Sequence, residues 1–292
     1  MNLLRPFDPW KCELCTCLPK LSLNPYTGCS HGCLYCYASS YIPRFHECRP
    51  KKDLLVRLKM EVQKVRPGEL ISASNSSDPY PPQERELELT RECVSIIKKA
   101  GLRLQVVTKS DIAARDADLL EEMDACVSIT LTTLQSSLSE KLEPGAPPPA
   151  SRLDAMRLLH QRGIPVSARI DPIIPCLNLD EIEDLVHAAA IAGAQHITSS
   201  TFKARHDSLR RLATAFPDVT EKLVASFKER TGSSICLPRE TRRTIMDRAC
   251  RAARQEGLTF SSCREGFSGH APSCDGSHLI GLNLSSDKKS QR

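Results

Sequence analysis

Six short runs rich in β-branched and small residues alternate with stretches of helical periodicity, and this alternation restricts the chain to few folds. The runs are Lys20 to Asn24, Glu69 to Asn75, Arg103 to Ser110, Cys126 to Thr133, Val166 to Ile173 and His196 to Phe202. Starts at 69, 103, 126, 166 and 196 lie 23 to 40 residues apart, which leaves room for one helix and two loops per crossover. Between two runs, Ile182, Leu185, Val186 and Ala189 draw one apolar stripe at helical spacing, and Asn178 with Glu181 marks its start. Strand, helix and strand in this order imply right-handed crossovers and a parallel sheet. The expected fold is α/β, a partial (βα)6 TIM-type barrel with parallel strands. In such barrels functional residues gather on the loops leaving the carboxyl ends of the strands.

The chain has 292 residues, 40 % hydrophobic and 26 % charged: enough apolar surface for a core, which excludes disorder as the main state, and enough charge for solubility. The start, MNLLRPFDPWKC, lacks the apolar stretch of a secretory signal, and no run of 18 apolar residues occurs, so a cytoplasmic protein without membrane contact is expected. Residues 143 to 150, EPGAPPPA, read as a rigid loop after the fourth strand, because proline removes donors and fixes φ. The strand and helix rhythm is expected to end near Ser233. That divides the chain into a cysteine-bearing segment (1–19), the barrel (20–232), a helix and cysteine-bearing extension (233–284) and a disordered tail (285–292).

A cytoplasmic chain with fourteen cysteines points to metal or redox chemistry rather than a disulfide framework. Cys29, Cys33 and Cys36 form a C-x3-C-x2-C run, NPYTGCSHGCLYCYA, on the loop leaving the first strand. A [4Fe-4S] cubane normally takes four thiolates, so three on one loop leave one iron open for chemistry. Gly28 and Gly32 suit the tight turns of such a loop. A structural zinc site is the alternative, with His31 able to supply a ligand, although zinc usually takes two paired ligand sets.

With Tyr35 just before the third cysteine, this loop on the first of six βα units resembles the radical S-adenosylmethionine superfamily. NPYTGCSHGCLYCYA, SNSSDPYPPQE, TKSD, EPGAPPP and RIDPIIP resemble, more closely, the spore photoproduct lyase-like branch, over about residues 10 to 280. The resemblance implies an open iron that chelates the amino and carboxylate groups of S-adenosylmethionine. It implies reductive cleavage of the C5′–sulfur bond and hydrogen abstraction from a substrate by the 5′-deoxyadenosyl radical. The protein positions these groups and keeps out solvent.

By the same resemblance, Ser74, Asn75, Ser76, Ser77 and Asp78 stand where the superfamily holds the methionyl amino group, in place of its usual glycines. As a bare pattern they also read as a strand-to-turn junction. Lys109 is placed to meet the methionyl carboxylate, or else is a solvated surface lysine. Thr132 and Thr133 stand where ribose contacts are expected, and Tyr35 where adenine is contacted or the cluster shielded. Arg169 and Asp171 either face the barrel mouth or pair with each other. Cys176, after RIDPIIP, is a candidate hydrogen-atom donor or a plain apolar side chain.

Cys12, Cys15 and Cys17 precede the barrel, and Cys263 and Cys274 follow it. If the chain ends meet, four of these five suit an auxiliary iron-sulfur cluster, or a zinc staple, or they remain free thiols. Arg239, Arg242, Arg243, Arg248, Arg251 and Arg254 crowd one late helix and Arg205, Arg210 and Arg211 precede it, giving either a phosphate-binding or a solvated face. The expected function is a radical S-adenosylmethionine enzyme acting on a nucleic acid or a protein or peptide side chain. Its reductant would be a low-potential donor such as flavodoxin or ferredoxin. Alternatives are an electron-transfer iron-sulfur protein and a zinc-dependent nucleic-acid-binding module.

Overall fold

A computed structural model describes residues 2–7, 14–73, 76–267 and 271–281. Cys12, Ser74, Asn75 and the tail from 285 therefore lie outside the described residues. Seven parallel strands form one sheet: β1 (Leu21–Leu23), β2 (Leu70–Ala73), β3 (Arg103–Thr108), β4 (Ala125–Thr130), β5 (Val166–Ile173), β6 (His196–Thr201) and β7 (Thr259–Ser262). They lie in that sequential order, and Arg5–Pro6 adds an antiparallel edge beside β1. The helices include α1 (Leu54–Val62), α2 (Leu89–Lys99), α3 (Pro149–Gln161), α4 (Ile182–Ile191), α5 (His206–Ala215) and α6 (Arg239–Gln255). The sheet is an open, barrel-like α/β arrangement, as the spacing implied.

The register explains how a mostly buried sheet can be polar on one face. Ser22, Ser72, Gln105 and Cys126 stand side by side across β1 to β4, and Ser128, Ser167 and His196 continue across β4 to β6. Successive residues point to opposite faces, so Ile71, Leu104, Val127, Ala168 and Ile197 fall on the other side and are buried against the helices. On the helix side, α4 buries Ile182, Leu185, Val186 and Ala189, the stripe read from sequence.

One expectation fails. The rhythm does not end near Ser233: α6 buries Ile245, Met246, Ala249, Ala252 and Ala253, and β7 after it pairs in parallel with β6. The sheet thus runs past the boundary drawn at 232/233. TFSS, with its first residue exposed, is too short and too polar to announce a strand.

Residues 273 to 278 cross the polar face of the sheet. Gln105 Nε2 donates to the Asp275 carbonyl (2.7 Å), Thr198 Oγ1 to the Cys274 carbonyl (2.9 Å) and Ser261 Oγ to the Ser273 carbonyl (3.3 Å). A Cβ on Gly276 would stand 2.7 Å from Ser167 Oγ, so only glycine fits this approach. The buried Lys20 ammonium pairs with Asp275 and donates to Gln105 Oε1 at 2.8 Å, closing the contact between the start of β1 and the late segment.

Candidate functional site

Beyond β1 the chain makes a two-residue strand, Tyr26–Thr27, against Arg49–Pro50, and then turns at Gly28 with φ +81°. A Cβ there would lie 2.4 Å from the Glu47 carbonyl. This close approach lets the Cys29 amide donate to the Phe45 carbonyl at 2.7 Å. Gly32, at φ +66°, turns the chain again before Cys33, and the Cys36 amide donates to the Cys33 carbonyl at 3.1 Å. Cys29 and Cys33 are buried and Cys36 half-buried.

Two other segments pin this loop. The Leu34 amide donates to the Leu142 carbonyl and the Gly145 amide to the His31 carbonyl, both at 2.9 Å, so the EPG segment lies against it backbone to backbone. From α5, Arg211 donates through Nε to the Leu34 carbonyl (3.0 Å) and through Nη2 to the Cys36 carbonyl (2.9 Å). Asp207 steadies that guanidinium at 2.8 Å and accepts from the Ser39 (2.9 Å) and Ser40 (2.7 Å) hydroxyls. Arg211, read from sequence as part of a basic patch, is thus a clamp on the cysteine loop. Its signal was the Asp207 to Arg211 spacing of four on one helix.

Burial pushes the Cys29 thiol up to about 12, with the Asp78 charge adding to it, and raises Cys33 and Cys36 as well. Three thiolates together in such surroundings need a positive centre to compensate them, which is what iron provides. Among the described residues no three His, Cys, Asp or Glu side chains converge on one point as a single ion requires. A cubane makes no such demand, because each thiolate binds a different iron corner. The trio, its burial and its pinned backbone fit a [4Fe-4S] cluster.

Around this loop the structure gathers several of the side chains expected at the site. The Glu143 carboxylate accepts the Tyr35 hydroxyl and, at 2.7 Å, the Thr132 hydroxyl. Lys109 Nζ lies 3.9 Å from the same carboxylate and 5.4 Å from the centre of the Tyr35 ring. Only 16 % of the Lys109 side chain is exposed, so it is not a solvated surface lysine. Burial alone would push the Glu143 carboxyl up, but the charges of Arg152 and Lys109 outweigh it and, with the two hydroxyls, hold it at about 2. Glu143 and Arg152 escaped the sequence reading, which took residues 143 to 150 as a rigid loop and singled out nothing in α3.

Asp78 is a junction. It accepts from the Tyr80 amide (2.9 Å), the Thr108 hydroxyl (2.6 Å) and the Lys109 amide (2.8 Å), and lies 3.5 Å from His31 Nδ1. It therefore joins the end of β2 to the end of β3 and to the cysteine loop. The Ser76 amide and hydroxyl both reach Asn24 Oδ1, at 3.2 and 3.4 Å, and Ser77 is buried. Thr133 donates to Glu181 (2.7 Å). Arg169 and Asp171 pair at 2.6 Å on β5, with Ser200 donating to Asp171 at 2.6 Å, so the internal pair is the arrangement found. Cys176 is exposed on the loop beyond β5 at φ +65°.

Of the end cysteines, Cys17 and Cys274 meet at 3.2 Å between sulfurs. Cys263 is a hydrogen-bond partner of Arg169, and Cys15 is half-buried two residues before Cys17. On the late helix, Arg242 pairs with Glu265 at 2.8 Å and Arg248 with Glu183 at 2.5 Å, so part of the arginine-rich face is spent on ion pairs within the fold. No helix among the described residues is long and apolar enough to cross a membrane.

Comparison with known proteins supplies the family. An uncharacterised protein of Methanocaldococcus jannaschii is 32 % identical over 161 residues, 54 % of this chain and 62 % of that one. The radical SAM Nalpha-GlyT isomerase of Pseudomonas phage M6 is 24 % identical over 255 residues, 83 % of this chain and 53 % of that one. The chain thus spans 53 to 62 % of the length of these relatives. Among solved structures, a spore photoproduct lyase variant with bound AdoMet and dinucleoside spore photoproduct superposes with TM-score 0.69 at 16 % identity, covering 89 % of this chain and 78 % of that one. Streptococcus suis SuiB bound to S-adenosylmethionine gives TM-score 0.54 at 14 % identity over 83 % of this chain and 50 % of that one. At such identities the likeness is one of fold. The profile of the Radical SAM superfamily matches residues 23–189, more than half of the chain and the whole of the cysteine loop, and the protein belongs to that superfamily.

Proposed function

We propose that this protein reductively cleaves S-adenosylmethionine and takes a hydrogen atom from a nucleic acid. The observation that carries the reading is the buried trio Cys29, Cys33 and Cys36, held by backbone bonds on the loop that leaves the first parallel strand. Cys29, Cys33 and Cys36 would hold a [4Fe-4S] cluster, which would supply the electron for reductive cleavage of S-adenosylmethionine. Lys109, drawn inward by Glu143, presents a cation to the methionyl carboxylate. Ser76 and Ser77 would supply hydroxyls for the methionyl amino group, with Ser74 and Asn75 beside them in sequence, while Asp78 acts through the backbone of Lys109. Tyr35 and Thr132, joined through Glu143, would line the nucleoside side of the site, and Arg169, fixed by Asp171, lies on the polar face of β5. Cys176, exposed at the mouth end of that strand, is the candidate that returns a hydrogen atom to the product.

A nucleic acid is favoured over a protein substrate by the net charge of +5 and by the dinucleoside named in the structural relatives. The reading places the protein in a reducing cytoplasm, with flavodoxin or ferredoxin as electron source. Anaerobic reconstituted protein, dithionite and S-adenosylmethionine should form 5′-deoxyadenosine, more with DNA or RNA than with peptides, and none in Cys33→Ala. No 5′-deoxyadenosine from an intact, reducible cluster overturns the activity. Stimulation by peptides alone overturns the substrate class.

A further inference from the structure

Two thiols outside the site already described are placed for chemistry of their own. Cys17 Sγ and Cys274 Sγ stand 3.2 Å apart although 257 positions separate them in sequence. The contact is built into the fold. On the late segment, the carbonyls of Ser273, Cys274 and Asp275 are held by Ser261, Thr198 and Gln105, and the Asp275 carboxylate by Lys20 and the Ser277 amide and hydroxyl. On the early segment, Lys20 is three residues beyond Cys17. The Cys274 backbone is therefore fixed, and Cys17 lies three residues before a side chain anchored to the same late segment.

Their surroundings differ. Cys274 is buried, shares with Cys17 a hydrogen bond in which either sulfur can donate, and accepts from the Thr16 hydroxyl, which favours its thiolate form. Cys17 is half-buried, so small molecules reach the pair from its side. Among the described residues no third Cys, His, Asp or Glu side chain joins them around a single metal ion.

We propose that Cys17 and Cys274 are a disulfide-forming pair, oxidised by hydrogen peroxide into a covalent staple between the two ends of the chain. The Cys274 thiol gives its proton to solvent, and its thiolate attacks one peroxide oxygen, breaking the O–O bond to give a sulfenic acid and hydroxide, which takes a proton from solvent and leaves as water. The Cys17 thiol then displaces the sulfenic oxygen as a second water, forming the S–S bond. Two thiols lose two electrons and one peroxide becomes two waters. The staple fixes the late segment across the polar face of the sheet, and because it closes a loop of most of the chain it resists unfolding. This inference does not depend on the activity proposed above.

The test treats the anaerobic holoprotein with one equivalent of hydrogen peroxide, blocks remaining thiols and maps peptides by mass spectrometry under non-reducing conditions. The expected result is a Cys17–Cys274 peptide pair 2 Da lighter than the two thiol peptides, reversed by dithiothreitol. In Cys17→Ser the sulfenic acid at Cys274 has no partner and is captured by dimedone, whereas the wild type gives no such adduct. The oxidised wild type melts several degrees above the reduced form, and Cys17→Ser shows no such rise. Cross-links scattered over the other cysteines overturn the proposal. So does a loss of zinc or iron per chain in the Cys17→Ser, Cys274→Ser double variant, which would make the pair part of a metal site.

Discussion

The Arg152 guanidinium lies 2.5 Å from the Glu143 carboxylate, and both side chains are buried behind the cysteine loop. Three links follow from this one pair: Glu143 orients Tyr35 and Thr132, attracts Lys109, and leads into the Pro-Gly turn whose backbone holds the loop. Charge so deep in a fold stays only while compensated. Arg152→Met should therefore destabilise the protein by about 3–5 kcal/mol, and adding Glu143→Gln should recover part of that loss. Urea unfolding of the three proteins measures it. Equal stability of Arg152→Met and wild type would mean the pair is not buried as described.

Acid acts on the same carboxylate. With Glu143 held at about 2 against an ordinary value near 4.5, its contribution is complete above pH 4.5 and is lost as pH falls toward 2. Below 4.5 the unfolded chain binds the proton and the folded one does not, so acid favours unfolding. The stability difference between wild type and Glu143→Gln should shrink by up to about 3 kcal/mol over that window. Denaturation midpoints from pH 5 to pH 2.5 give the result, and a constant difference would contradict it.

The clamp from α5 should govern retention of the cluster rather than the fold. Arg211→Lys keeps a positive charge but loses the fork that reaches two carbonyls and a hydroxyl. Iron and sulfide per chain after desalting should fall several-fold faster in Arg211→Lys than in wild type, with the melting temperature nearly unchanged. Asp207→Asn should show the same trend more weakly, since it leaves the Arg211 bonds to the loop in place.

Gly145 tests the backbone contact directly. A Cβ there would stand 2.2 Å from the Ser30 carbonyl, so Gly145→Ala must push the two loops apart. A cost of about 1–3 kcal/mol is expected. The same variant should take up less iron during reconstitution, measured by absorbance near 400 nm. Wild-type stability together with wild-type iron would show that the loops are not in contact.

Where the fold and the candidate site were legible in sequence, it was because local spacing carried them. The strands in βα rhythm announced themselves through blocks such as LQVVT and VSARI, and the trio through three cysteines within eight residues. Non-local partners could not be seen this way. Glu143 matters because Arg152, Thr132, Tyr35 and Lys109 surround it, and nothing beside it in the chain says so. Asp78 read as a ligand group and as a turn residue alike, and only its three donors from Tyr80, Thr108 and Lys109 show it to be a junction. Four residues of mixed polarity hid the seventh strand, which forms because α6 delivers them to the edge of β6.

The central claim is that Cys29, Cys33 and Cys36 leave one iron of a cubane open to S-adenosylmethionine. Electron paramagnetic resonance of the dithionite-reduced, reconstituted protein with and without S-adenosylmethionine tests it most directly. A [4Fe-4S]+ signal whose g-values move on addition of S-adenosylmethionine, and which is lost in Cys29→Ala, is the predicted result. A reduced cluster whose spectrum ignores S-adenosylmethionine, or one that persists without Cys29, Cys33 or Cys36, would contradict the account.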